Sequence, residues 1–177
     1  MNKCVNAVLV FLFCILALSS QATSGELIIK GSTTVLPICQ MAAEAYMAKH
    51  PDVRISLSGG GSSNGIKAIM DGTAHIGNAS RFIKLKEVNL ANSKGVYPVP
   101  HRIARDAIVP VVNPKNPISD LTLTQLRDIY LGKIRDWKDI GGNPGRIVVV
   151  SRDSSSGTFG VWKDMVMLGD RVVKSRL

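Results

Sequence analysis

Cysteine is scarce in this sequence: Cys4, Cys14 and Cys39 are the whole supply in 177 residues. The first two fall in an N-terminal stretch that reads as a removable leader. One remaining thiol closes no intramolecular disulfide and supplies no thiolate metal cluster. Its place in a helical pattern gives Cys39 the role of a small buried hydrophobe. Aromatic residues make up 5% of the chain and are not interleaved with the basic ones. That excludes the stacking platforms and basic stripes of nucleic-acid binding. Long hydrophobic runs are missing too. The longest, Val8 to Leu18, is shorter than the roughly 20 residues that a membrane-spanning helix needs. Acidic residues are outnumbered, 13 against 22, giving a formal charge of +9. Scattered over helix faces and loops, this charge makes a solvated surface whose field attracts small anions.

The leader itself is well marked. Lys3 precedes the apolar run, and Ser20 and Ala22 stand at a Ser-x-Ala site. This is the pattern of a secretory signal peptide over residues 1–22, with cleavage expected after Ala22.

The remaining chain alternates strand and helix patterns. "ELIIKG" reads as a strand, and "TTVLPICQMAAEAYMAKHP" continues with helical spacing up to Pro51. "VRISLSG" alternates as a strand does. "SSNGIKAIMDG" is a short helix opened by Ser62, "AHIGNAS" a third strand, and "LKEVNLANSKG" a helix ending at Gly95. "VYPVPHRIARDAIVPVVNP" is apolar and β-rich, with prolines that suit edge positions. Ser119 and Asp120 lead into a short helix that Gly132 breaks. "GRIVVVSR" reads as a buried strand, and a last helix starts in "SSGTFGVW". The order implies an α/β domain with a mainly parallel sheet. A composition change at "PVVNPKNP" divides the chain into a first α/β lobe, residues 25–110, and a partial second lobe, residues 111–177.

Three strand-to-helix corners share one chemistry. They are Gly31-Ser32-Thr33-Thr34, Gly59-Gly60-Gly61-Ser62-Ser63-Asn64, and Ser151 to Thr158 with its serines and Gly157. Strand C-terminal ends lie along one edge of an open parallel sheet, where ligands bind. Helix starts offer free N–H groups, glycines allow close approach and hydroxyls add donors. Such corners suit a small anion. Arg81 and Arg152 follow predicted strands on the same edge and could grip an oxyanion through the guanidinium fork. Each could instead be a plain surface ion pair. The middle corner, "GSSNG", also fits the G-x-S-x-G elbow of serine hydrolases, with Ser63 at its centre. Its candidate partners, Asp71 or Glu87 and His75 or His101, are cramped in sequence. It is not a Walker loop, because Ile66 stands where lysine is required.

"GSTTVLP", "GGGSSNGIKAI", "IGNASR", "LTLTQLRDIYLGKIRDWKDIGG" and "SRDSSSGTF", in this order, resemble the phosphate-binding proteins of bacterial phosphate ABC transporters. The resemblance spans Glu26 to Arg171. It implies a type II periplasmic binding protein fold, two α/β lobes about a hinge with the second lobe incomplete. It further implies a periplasmic monomer that binds inorganic phosphate, delivers it to a membrane ABC permease, carries no cofactor and performs no catalysis. Residue by residue it assigns Thr34 and Val35 to the anion, with Ser32 and Thr33 close by. It adds Ser62, then Ser80 with Arg81 next to it, and Arg152, Ser156, Gly157 and Thr158.

The sequence departs from the best-known members at three points. They carry aspartate where Ser80 stands, and that carboxylate accepts the proton of monohydrogen phosphate and so rejects sulfate. Another tetrahedral oxyanion such as sulfate is therefore the alternative ligand. The carboxylate after Arg152 is Asp153, one position earlier than in those members. Members also run on past Leu177, so the resemblance implies a C-terminally truncated chain, with its last helix short of cover and its phosphate affinity reduced.

Overall fold

The computed structural model describes residues 25–172. The expected leader, its cleavage point, Cys4 and Cys14 lie outside the described residues. Three parallel strands form one sheet in the order β2-β1-β3: β1 is Glu26–Gly31, β2 Arg54–Ser58 and β3 Ile76–Asn78. β1 is central, pairing Leu27 with Ile55 on one side and Ile29 with Ile76 on the other. The β2 sequence RISLS alternates exposed and half-buried residues, as a strand covered on one face should.

Helices make the crossovers. α1 (Leu36–Lys49) joins β1 to β2, and α2 (Ser62–Met70) joins β2 to β3. α3 (Leu85–Ser93) follows, and Gly95 with φ +73° ends the turn after it. α2 is amphipathic: Ile66 and Met70 pack on Ala91 of α3, with Ala79, Ile83 and Val96 around them. Burying each of the two large side chains contributes about 1.5–3 kcal/mol. α1 buries Ala43 but leaves Ile38 and Met41 exposed. Cys39 on α1 is half-buried rather than buried, its thiol 3.5 Å from Asn78 Oδ1.

A second apolar cluster forms farther along the chain. α4 (Leu123–Tyr130) contributes Leu126, and α5 (Gly157–Met165) contributes Trp162. Val166 and Met167 complete the cluster, with Leu121, Tyr130 and Leu131 against it. α4 is opened by Thr122 rather than by Ser119 or Asp120. Thr122 Oγ1 accepts from Gln125 N at 3.1 Å, and Gln125 Oε1 accepts from Thr122 N at 2.9 Å, a reciprocal capping box.

Two expected strands are not strands. The apolar segment from Val96 to Pro114 forms no strand, and Val99, Ile103, Val109 and Val111 are exposed. β-propensity describes fit to a pleated surface and supplies no neighbour. Among the described residues no strand pairs with this segment. "GRIVVVSR" makes an isolated antiparallel bridge, Asp136 to Arg146, beside a 3-10 turn at Trp137–Ile140, while Val148 and Val150 stay exposed. Asp136 organises that turn, accepting from Lys138 N and Gly145 N, both at 3.0 Å.

Candidate functional site

All three corners meet at the C-terminal edge of the sheet. β1 runs into the first corner, whose Ser32 donates its N–H to Asn78 O at 2.9 Å. Ser32 is buried, and its Oγ receives Thr34 N at 3.2 Å and Val35 N at 3.4 Å. Ser32 thus braces the turn into α1, and its hydroxyl faces the two backbone donors assigned from the sequence. The second corner is tied to the first by Gly61 N to Gly31 O at 2.9 Å. Gly61, at φ +96°, is the residue before α2; a Cβ there would come within 2.6 Å of Ser155 O. No other residue fits both that backbone conformation and that approach.

The third corner lies across the other two. Thr34 Oγ1 and Thr158 Oγ1 are 3.3 Å apart. Arg152 Nη2 donates to Thr33 Oγ1 at 2.6 Å. Ser63 N donates to Ser155 O at 3.1 Å, and Ser155 Oγ to Gly60 O at 2.9 Å. The closest approach is at Gly157. A Cβ there would lie 2.6 Å from Ser80 Oγ and closer still to Ser62 Oγ. Ser62 is 0% exposed and its Oγ receives Ser80 N at 3.0 Å, with Ser80 Oγ 3.2 Å away. Ser156 is buried and caps α5, its Oγ accepting from Phe159 N at 3.3 Å. The cap leaves other first-turn donors unused. The N–H groups of Ser62, Gly157 and Thr158 make no hydrogen bond among the described residues.

The two arginines differ from the simple fork pictured in the sequence. Arg152 is exposed, and its observed hydrogen bond goes to Thr33. Asp153 does not orient it. Asp153 Oδ1 accepts from Ser155 N at 2.8 Å and from Ser155 Oγ, and these bonds hold its carboxyl below the usual range, with the Arg152 charge a lesser cause. Arg81 is neither a surface pair nor an open fork. Its side chain is 7% exposed and clasps Glu87 through Nη1 to Oε2 at 2.9 Å and Nη2 to Oε1 at 2.8 Å. The Arg81 bond holds the Glu87 carboxyl below its ordinary value, against the opposing effect of burial.

The structure thus gathers Ser32, Thr33, Thr34, Val35, Ser62, Ser80, Arg152, Ser156, Gly157 and Thr158 at one edge, with Arg81 turned away to Glu87. From the sequence, Ser155 falls in the third corner but is not assigned to the site, and Glu87 enters only as a possible acid partner of Ser63, not as the partner of Arg81. A capping-type Glu three residues after Lys84 was the available signal, since Glu87 Oε2 accepts Lys84 N at 2.8 Å. The hydrolase arrangement is not formed. Ser63 Oγ accepts from Arg81 Nη2 at 3.2 Å. His75 sits at the other end of the strands, its Nδ1 receiving Ile28 N at 2.9 Å. Among the described residues no cluster of His, Cys, Asp and Glu could hold a metal ion. No described helix is long and apolar enough to cross a membrane.

Residues 17–174 match the sequence profile of the PBP superfamily domain. The chain belongs to that superfamily. Among PBP superfamily relatives, the phosphate-binding protein PstS of Bacillus subtilis is 35% identical over 142 residues, 80% of this chain and 46% of that protein. The phosphate-binding protein PstS 2 of Streptococcus agalactiae is 38% identical over 124 residues, 70% of this chain and 40% of that protein. The chain spans about half the length, or less, of these curated relatives. A protein from Clostridium perfringens, solved with bound phosphate, superposes with TM-score 0.75 at 42% identity, over 86% of this chain and 61% of that one. An ABC-type phosphate transport receptor from Vibrio cholerae superposes at 0.58 and 32% identity, covering 79% and 55%.

Proposed function

We propose that this chain binds inorganic phosphate, and that the protein carrying it delivers phosphate to the permease of an ABC transporter. The observation that carries the reading is the convergence of unused N–H donors from two helix starts, at Ser62 and at Gly157 and Thr158, beside the hydroxyls of Thr34, Ser80 and Thr158. Backbone donors at a helix start face an anion with the positive end of the dipole, and they need no rearrangement to do so. The phosphate-bound relative at 42% identity supports the choice of anion.

In this reading Thr34, Val35, Ser62, Ser80, Gly157 and Thr158 contact the anion, Ser32 and Ser156 hold the turns, and Arg152 with Thr33 covers the site from the solvent side. Residues 25–110 and 111–177 act as two lobes, a division supported by their separate apolar clusters. The protein works as a periplasmic monomer without catalysis. Binding needs hydrogen-bond donors and a positive field, both present, and no nucleophile or base. Two of the relatives named above are phosphate-binding proteins by name, and a third was solved with bound phosphate.

Isothermal titration of the full chain with phosphate, repeated with sulfate as competitor, tests this. Saturable binding of one phosphate that excess sulfate does not displace is expected. Absence of heat and of any thermal protection by phosphate refutes the reading, and displacement by equimolar sulfate moves the assignment to another oxyanion.

A further inference from the structure

We infer that the half-buried Arg81–Glu87 ion pair is the positioning element of the anion corner: it fixes the first turn of α2 and seats α5 without itself touching the anion. For its affinity readout the inference rests on the phosphate reading above. The geometry is cross-braced. Arg81 Nη1 donates to Glu87 Oε2 and to Phe82 O, both at 2.9 Å. Arg81 Nη2 donates to Glu87 Oε1 at 2.8 Å and to Ser63 Oγ at 3.2 Å. Glu87 Oε2 also accepts Lys84 N at 2.8 Å. The side chains are 7% and 16% exposed. A planar guanidinium in a two-bond clasp has its direction set, which a flexible ammonium would not.

One residue thereby joins four elements. Arg81 follows β3, Glu87 lies in the first turn of α3, and Ser63 in the first turn of α2. The Arg81 stem forms the wall beside Gly160 of α5, its Cδ 3.4 Å from where a Cβ at Gly160 would stand. Ser63 is held twice, by Arg81 at its hydroxyl and by Ser155 O at its N–H, 3.1 Å away. Ser155 belongs to the loop that leads into α5. A weaker exposed pair, Lys84 Nζ to Asp164 Oδ2 at 3.9 Å, repeats the tie between α3 and α5. The spacing between the two helix starts that present Ser62 and Gly157 therefore depends on where Arg81 points, and Glu87 decides that.

The substitution Glu87→Gln separates positioning from direct contact by the sign of its effect. If Arg81 were an anion ligand held back by Glu87, losing the carboxylate would free it and strengthen phosphate binding. As a positioning pair, the loss weakens binding by roughly tenfold, the low end of what losing an orienting partner costs in metal sites. Arg81→Lys weakens it in the same direction. Hydrogen exchange in the free chain gives a readout independent of phosphate. In Glu87→Gln the Ser63 and Gly160 amides exchange faster while Leu126 in α4 keeps its rate. Unchanged exchange at Ser63 and Gly160, or phosphate binding as tight as before, overturns the inference. Should the wild-type chain bind no phosphate, the reading of the ligand fails while the exchange result still decides the positioning. Should Glu87→Gln not fold, Ser63→Ala removes one arm of the brace; a severalfold loss of affinity and faster exchange at Gly160 are then expected, and no change in either refutes it.

Discussion

Gly157→Ala adds one methyl group where the third corner meets the second and the end of β3. Its carbon would stand 2.6 Å from Ser80 Oγ, closer to Ser62 Oγ and 2.9 Å from Ser62 Cβ. Ordinary contact begins near 3.4 Å. Ser62 is 0% exposed and cannot swing aside. The first turn of α5 must therefore retreat by about 0.8 Å or more to restore van der Waals contact. Overpacking of this kind costs about 1–3 kcal/mol. Alanine in place of glycine within a helix contributes up to about 1 kcal/mol in the opposite direction. The net stability loss should be small, because Trp162 and Val166 anchor α5 in its own cluster. Anion binding should suffer more, since displacements of about 1 Å in a positioned site can cost on the order of 100-fold. Titration calorimetry and thermal melts on the same samples are the assay. A loss of phosphate affinity of tenfold or more with a shift of only a few degrees is expected. The substitution should cost less in a Ser62→Gly background, which removes the nearest obstacle. Unchanged affinity and unchanged melting together would show that α5 does not rest on Ser62 and Ser80, and the account of the corner would fail.

Arg152→Ala should weaken phosphate binding by about tenfold, less than a buried charge partner would cost, while Lys67→Ala, 73% exposed, should mainly alter the association rate and its salt dependence; equal equilibrium losses in titration would put Arg152 outside the site. Thr34→Val and Thr158→Val should be coupled by about 0.5–1.5 kcal/mol in a double-mutant cycle, measured as phosphate affinity, and strict additivity would mean that the two hydroxyls do not meet the same anion. Glu87 has a folded-state pKa below its ordinary value, so its contribution to stability is present above the unfolded pKa and fades as pH falls through the lowered one. Melting curves from neutral pH down to about pH 3, below the ordinary Glu range, should therefore show a smaller acid-dependent loss in Glu87→Gln than in the wild type, and identical slopes would contradict the pairing.

The corners were legible because their chemistry is local. Gly31, Gly61, Ser62, Ser156 and Gly157 are named by residue type and by position between a strand pattern and a helix pattern, and those patterns follow from nearest-neighbour spacing. The central helices and β1 to β3 were legible for the same reason. What escaped depends on partners remote in sequence. The Val96 to Pro114 segment has strand composition, but a ladder needs a neighbour that composition does not name. Arg81 looked like an open fork because the turn through Phe82 and Lys84, which swings Glu87 back onto it, leaves no periodic mark. Arg152 read as a fork at the end of a strand; among the described residues that segment forms isolated bridges rather than a strand, and the arginine lies exposed against Thr33.

Amide NMR during a phosphate titration tests the central claim most directly. Two helix starts contribute unused N–H groups, so the account predicts that the amide resonances of Ser62, Gly157 and Thr158 move downfield together and saturate at one phosphate per chain. The Leu126 amide in α4 should stay in place. Saturable binding that leaves those three amides unmoved, or that shifts the resonances around Lys67 and Lys94 instead, would contradict it.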